Sequence, residues 1–288
     1  RRQRQMCIRD RNVTFATDEL SGTGLAQDIN RLQKWGYPSR LITKRELLEL
    51  EPSLEISKFH LAAYTWSEGH VMTDKVIHAC MNSIVENGGK VILNSRVDSV
   101  SQDSSGASLT VEGKSYPFDI VVVAGGVNTS QLSETYGLKL PQRVSPGVVV
   151  KTNPINQILR SLSVLQIVNG TGQIDQIHVR QDAHGAVMIG TGSQEHETSD
   201  DSQKHADNLV NEAARYIPGL QDATAIRVPV GFRPMPIDEL PVIGFTSETP
   251  NIYVLLMHSG VTLAPLVGEL ASMEIVENIE VELSLIHI

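Results

Sequence analysis

"VGFRPMPIDELPVIGFTSETPNIYVLLMHSGVTLAP", Val230 to Pro265, is the stretch on which the fold turns. Its first half sets Arg233 between Gly-Phe and Pro-Met-Pro, too rich in proline for a helix and too apolar for a solvated loop. An arginine held by so stiff a backbone calls for an anionic partner. That partner is either a structural carboxylate, Asp238 or Glu239, or a substrate. The second half runs as an apolar strand into His258-Ser259-Gly260 and then into a helical pattern, "VTLAPLVGELASMEIVE". A strand, a glycine turn and a helix in that order offer backbone N–H groups to an anion or a polar ring edge.

A second strand and turn lie far upstream. "FDIVVVAGG" holds a continuous apolar run, Ile120–Val123, closed by Ala124-Gly125-Gly126, and suits a strand buried on both faces of a parallel sheet. Before it, Thr73–Asn87 reads as a helix capped by Thr73 and ended by Gly88-Gly89. Val76, Cys80 and Ile84, with Ile77 and Met81, form its expected core stripe. "KVIL", "RVDSVS" and "SLTVE" read as short strands between the two. Between Pro141 and Pro250 the texture changes to alternating strands ("RVSPGVVVKT", "QIHVRQD", "GAVMIGTG"), which predict an antiparallel sheet covered on one face. A helix over Asp200–Tyr216 points Ala206, Leu209, Val210, Ala213 and Ile217 at that sheet, and Thr43–Leu50 is a short helix stopped by Pro52.

The fold class expected is therefore α/β: a parallel, nucleotide-binding layer of Rossmann-like type, interleaved with an antiparallel-sheet α+β domain. The expected division assigns 12–70 and 141–249 to the antiparallel domain, and 71–140 and 250–282 to the nucleotide layer.

The two ends read differently. "RRQRQMCIRDR" (Arg1–Arg11) and "LSLIHI" (Leu283–Ile288) back-translate into complementary strings that resemble a transposase sequencing adapter read at both ends. Residues 1–11 and 283–288 are accordingly read as scars, and Asn12–Glu282 as an internal piece of a longer reading frame. Without the four net positive charges of Arg1–Arg11, the formal charge falls from −9 to about −13. Such a balance argues against nucleic acid as a partner. Cys7 goes with the scar, which leaves Cys80 and no intrachain disulfide or cysteine metal site. A cytoplasmic, reducing setting fits. No apolar run reaches the ~18 residues of a membrane span. His178, His184, His196 and His205 lack metal-ligand spacing, so no metal is expected; Glu195 and Asp200-Asp201 read as a solvated helix start.

Three segments together resemble the D-amino acid oxidase/glycine oxidase superfamily of FAD-dependent oxidoreductases. They are "DIVVVAGGVNTSQLSETYGLKLPQRVSPGVVV", "IHVRQDAHGAVMIGTG" and "GFRPMPIDELPVIG…NIYVLLMHSGVTLAPLVGEL", and the resemblance covers nearly all of Asn12–Glu282. It implies a glutathione-reductase-type FAD layer, here incomplete, and a substrate domain. It also implies a carboxylate-binding role for Arg233 in the "G-x-R-P" setting. A guanidinium fork suits the carboxylate of an amino acid. The pattern "G-x-x-L-A-P" implies flavin contact for Gly260, Val261 and Thr262, with Met257 and Ser259 beside them, and a substrate-side position for His258. Ala124, Gly125, Gly126 and Val97 match positions where the family's backbone meets the dinucleotide.

Two departures matter. The superfamily opens with a strand and a G-x-G-x-x-G turn for the FAD pyrophosphate. Here "SGTGLA", Ser21–Ala26, has two glycines and no apparent buried strand before it. The chain is expected to hold FAD weakly. Met188 stands where the N-methyl amino acid oxidase branch has a lysine linked to oxygen chemistry, which favours an electron carrier over oxygen as acceptor. With no cysteine near the C-terminal flavin loop, FAD is expected to be bound non-covalently.

The expected function is FAD-dependent oxidation of the C–N bond of an amino acid or related amine, by hydride transfer from Cα–H to flavin N5 and hydrolysis of the imine. The alternatives are a 2-hydroxy acid oxidoreductase and a non-catalytic scaffold that keeps the fold. No acid–base pair stands out, so no catalytic residue is assigned; the flavin carries the chemistry and the protein supplies position.

Overall fold

A computed structural model of the protein describes residues 11–170, 176–191 and 200–281. Apart from Arg11, the expected scars over 1–11 and 283–288 lie outside these, as do Cys7, Glu195 and His196. The described chain opens with β1 (Asn12–Ala16), α1 (Glu19–Lys34), β2 (Ser39–Ile42), α2 (Lys44–Leu50), β3 (Leu61–Thr65) and α3 (Thr73–Glu86). Next come β4 (Ser99–Asp103), β5 (Gly106–Val111), β6 (Lys114–Phe118), β7 (Val121–Val123), α4 (Thr129–Glu134), β8 (Gln142–Gly147) and β9 (Val149–Thr152). Then follow β10 (Val164–Val168), β11 (Gln176–Gln181), β12 (Val187–Thr191) and α5 (Gln203–Ala214). The last are β13 (Ala225–Arg227), β14 (Gly231–Pro236), β15 (Val242–Gly244), β16 (Ile252–Leu256) and α6 (Gly260–Val276).

The chain divides into two compact units, each made of two segments. One is 1–83 with 147–231; the other is 84–146 with 232–288. The sequence drew the boundaries at 70/71, 140/141 and 249/250; the compact units divide at 83/84, 146/147 and 231/232.

The first unit is built on an eight-stranded sheet of order β13-β9-β12-β11-β10-β1-β3-β2. All pairings are antiparallel except β1 with β10, where Asn12 faces Val164. The period of two puts Val13, Phe15, Ile177, Val179, Val187 and Ile189 on the core face. The expected stripe of α5 closes over that core: Leu209 and Ala213 are fully buried, and Ile217 nearly so. Thr43 caps α2 in a full capping box with Glu46. Just past that helix, Glu51 is fully buried and accepts the N–H groups of Arg160, Ser161 and Leu162 at 2.5–2.7 Å. One carboxylate thus holds the approach to β10.

The first unit corrects one expectation. A buried strand, β1, does precede "SGTGLA", and that segment lies inside α1. Asp18 caps α1 by accepting from Ser21 N and also from Gly170 N, so this helix start is occupied by its own chain. Gly22 packs against the His60 ring, where a Cβ would clash.

The second unit holds a three-stranded sheet, β15-β16-β7, and a meander, β4-β5-β6. β7 and β16 run parallel, with Val121 facing Ile252 and Val123 facing Val254. On the other flank, α6 sets Val267 and Ala271 against Ile243, Tyr253 and Met257. The Tyr253 hydroxyl donates to Glu274 Oε2 at 2.5 Å, which ties strand to helix. Three expectations fail, two in this unit and one at α3, most of which belongs to the first, and for one reason: nothing among the described residues covers the surfaces concerned. Val122 is 44 % exposed, so β7 is buried on one face only. "KVIL" forms no strand, and α3 buries none of its apolar stripe, Ile77 and Ile84 being 57 % and 47 % exposed.

Candidate functional site

The second unit brings most of the expected site residues to two neighbouring places. The first is the carboxyl end of the parallel pair β7 and β16. Ala124, Gly125 and Gly126 leave β7 there, and Met257 to Thr262 leave β16. Ligands of parallel α/β sheets bind outside the carboxyl ends of the strands. Gly126 has φ +58° and open space where a Cβ would stand, so its need for glycine is conformational. Gly125 is tighter, its would-be Cβ 3.3 Å from Leu132 Cδ1. Ser259, which precedes α6, is also left-handed, with φ 59°, and makes no side-chain cap on the helix. The first N–H of α6 that meets a backbone acceptor is that of Leu263, which bonds the Ser259 carbonyl. Gly260, Val261 and Thr262 are exposed ahead of it. An uncapped start of a 17-residue helix, with open space at Gly126 and Gly260, fits the polar edge of a flavin.

Two expected cofactor residues offer less. Met257 is buried among Ile243, Tyr253, Val267 and Ala271, so only its backbone remains for a ligand. Val97 packs on the cluster of Val100, Val121, Val123 and Ile252.

The second place is the ribbon of β14 and β8. Arg233 donates from Nη1 to the Pro146 carbonyl at 2.7 Å, and among the described residues it meets no carboxylate. Both structural partners foreseen for it are engaged elsewhere. Asp238 accepts from Leu240 N at 3.0 Å, and Glu239, itself at φ 65°, is paired with Arg143. Arg233 and Arg143 line one cavity of about 750 Å³, together with Lys139, Ser145, Glu134 and Phe232.

His258 belongs to this neighbourhood electrostatically. Partial burial, then the positive charges of Arg233 and Arg143, hold its pKa below the ordinary imidazole value, while Glu239 opposes them. The ring is therefore neutral at neutral pH, and its Nδ1 lies 2.8 Å from Ser259 Oγ rather than on a backbone group. A neutral imidazole can give or accept one hydrogen bond beside a carboxylate site without adding charge. No group of metal-ligating side chains occurs among the described residues.

Sequence reasoning missed Arg143 and Ser145. A signal was there: Arg143 lies between Pro141 and Pro146, much as Arg233 lies beside Pro234. Its partner, however, stands 96 residues away.

Comparisons with known proteins bear on the family and the fold. A family model described as FAD dependent oxidoreductase (DAO) matches residues 4–273. An opine oxidase component from Agrobacterium tumefaciens (strain Ach5) is 28 % identical over 202 residues, covering 70 % of this chain and 51 % of that one. Glycine oxidase of Geobacillus kaustophilus (strain HTA426) is 26 % identical over 265 residues, covering 90 % and 68 %. The chain thus spans about half to two thirds of the length of the curated relatives it matches. In fold, the crystal structure of glycine oxidase from G. kaustophilus superposes with a TM-score of 0.82 at 23 % identity, covering 98 % of this chain and 75 % of that one. L-proline dehydrogenase from P. horikoshii gives 0.81 at 20 % identity, covering 94 % and 73 %.

Proposed function

The chain belongs to the DAO family of FAD dependent oxidoreductases, and on that premise we propose that it oxidises the C–N bond of an amino acid or related amine. The observation that carries this reading is Arg233, a guanidinium at a cavity wall with a backbone carbonyl as its protein partner. Its remaining donors are free to grip a substrate carboxylate in the two-bond geometry that arginine favours. His258, neutral, serves as a second polar contact on the substrate.

Ala124, Gly125, Gly126, Ser259, Gly260, Val261 and Thr262 would hold FAD, with Val97 and the Met257 backbone behind them. When bound, FAD supplies the acceptor for the hydride that leaves the substrate Cα. The residues of the chain fix the carboxylate and so set which face of Cα is presented, a positioning role that accounts for much of the rate in such sites. The imine product hydrolyses in water. Because no G-x-G-x-x-G turn occurs among these residues, this chain alone is inferred to hold FAD weakly. Met188, on β12, supports an electron carrier as the acceptor over oxygen. A single cysteine beyond the N-terminal segment supports a reducing, cytoplasmic setting. No helix among the described residues is long and apolar enough to cross a membrane.

The test is a visible spectrum. The flavoprotein from the complete reading frame is titrated with D-amino acids, glycine, N-methyl amino acids, L-proline and 2-hydroxy acids. Bleaching by an amine, lost in Arg233→Leu, is the expected result. Bleaching by 2-hydroxy acids alone, or a protein that takes up no flavin, would overturn the reading.

A further inference from the structure

One substrate carboxylate accounts for Arg233 and leaves the rest of its cavity unexplained. Arg143 and Lys139 line the same wall, against a single lining acid, Glu134. Glu134 and the Glu239 carboxylate on Arg143 offset two of these three cations in the free protein, so a second arginine answers the substrate only where Glu239 gives way. Arg143 is occupied, but by an exposed partner: the side chains of Arg143 and Glu239 are 40 % and 62 % accessible. An ion pair so open to water is weak and readily exchanged.

The neighbouring strand position carries a second, independent sign. Arg143 and Ser145 are two apart on β8, and both line the cavity, as the period of a strand allows. Ser145 is only 4 % exposed, and its hydroxyl is buried with no hydrogen-bond partner among the described residues. A buried hydroxyl without a partner is uncommon in a folded protein, and in a cavity wall it marks a place for an incoming acceptor.

We propose that the substrate of this site is an amine bearing two carboxylates, the first received by Arg233 and the second by Arg143 with Ser145. Glu239 is the resident stand-in: it occupies Arg143 in the free protein and turns to solvent when the second substrate carboxylate arrives. One carboxylate replaces another, so the charge on Arg143 stays neutralised throughout. Lys139 adds long-range attraction for a doubly charged substrate. The inference rests on the reading that Arg233 anchors a carboxylate.

Matched substrates isolate the second carboxylate: N-methylalanine against N-carboxymethyl-alanine, and alanine against glutamate. Flavin bleaching by the full-length holoenzyme gives kcat/KM for each. Independently of turnover, calorimetry compares malonate with acetate. The dicarboxylate of each pair is expected to be preferred at least tenfold, and malonate to bind at least tenfold more tightly than acetate. R143M should cut both preferences tenfold or more, R143K less. E239Q, which removes the resident competitor, should lower KM for dicarboxylates severalfold. Equal use of the matched substrates, with a preference that R143M does not move, would overturn the inference while leaving amine oxidation intact. Loss of flavin from R143M would assign Arg143 to the cofactor and overturn it too. A flavin that no amine bleaches would remove the underlying reading, and this inference with it.

Discussion

Arg233 bonds the carbonyl of Pro146 on the facing strand and reaches no acid among the described residues, while Arg143, three residues before that proline, holds Glu239. Of two arginines on one ribbon, the more exposed position has the carboxylate. Arg233→Leu should therefore be cheap in stability and expensive in binding. Loss of one partly exposed guanidinium–carbonyl hydrogen bond costs about 1.5 kcal/mol, the low end for a charged donor. Loss of a charge-assisted pair with a ligand carboxylate costs roughly 2–3 kcal/mol, an affinity weaker by about 30- to 150-fold. Urea midpoints and a carboxylate titration of the same variant measure both. A large drop in midpoint with unchanged affinity would make Arg233 structural.

Glu51 is the most deeply committed acid of the first unit. Its two oxygens accept three backbone N–H groups from Arg160 to Leu162. Glu51→Gln keeps the shape but turns an amide donor toward one of those donors. The expected cost is about 2–4 kcal/mol, seen as a lower melting temperature, because buried donors lose a charged acceptor. A change below ~0.5 kcal/mol would contradict the account.

Tyr136 predicts a gain. Its hydroxyl is buried without a hydrogen-bond partner among the described residues, and burial pushes its pKa up to about 12. Tyr136→Phe removes an unpaired polar atom at little change of volume and should stabilise the protein by about 1 kcal/mol. Denaturant unfolding of the two proteins side by side decides it; a loss of stability would show that the hydroxyl has a partner.

His70 gives a pH dependence. Burial first, then the nearby Arg180, lower its pKa, while its bond to the Ser163 carbonyl and the charge of Asp182 oppose them. The unfolded chain then binds the proton more readily than the folded one, so protonation favours unfolding. The penalty is absent well above the ordinary histidine value of about 6.5, grows as pH falls through it, and levels off below the folded value. Melting temperatures at pH 7.5 and 5.5 should differ more in the parent than in His70→Asn. Equal slopes would assign the acid sensitivity to other groups.

What the sequence made legible was what periodicity and local chemistry encode. The stripe of α5 depends on residues three or four apart and formed as read, and the short helix expected over Thr43–Leu50 formed over Lys44–Leu50. Burial did not follow from pattern alone. Ile77 and Ile84 have helical spacing, yet burial needs a second surface, and none is present among the described residues. Strand β1 escaped notice because it is only five residues long and abuts an arginine-rich segment, although Asn12-Val13-Thr14-Phe15 alternates polar and apolar. The glycine turns and Arg233 stood out because glycine and proline mark backbone geometry directly. Arg143 did not, since its partner Glu239 lies 96 residues on, in the turn between β14 and β15.

The eight-stranded sheet also imposes a timetable. β1 finds its parallel neighbour β10 only across 152 residues, the separation at which Thr14 and Gln166 share a hydrogen bond. At ribosomal rates of about 5–20 residues per second, that interval lasts roughly 8–30 s. Throughout it, Val13 and Phe15 lack their in-sheet neighbours Leu165 and Ile167, while the first half of the other unit is already being made. Protection of β1 from protease on stalled ribosomes should therefore switch on only once β10 has emerged. For this chain, the speed of translation sets how long an apolar strand stays open to chaperones and to aggregation.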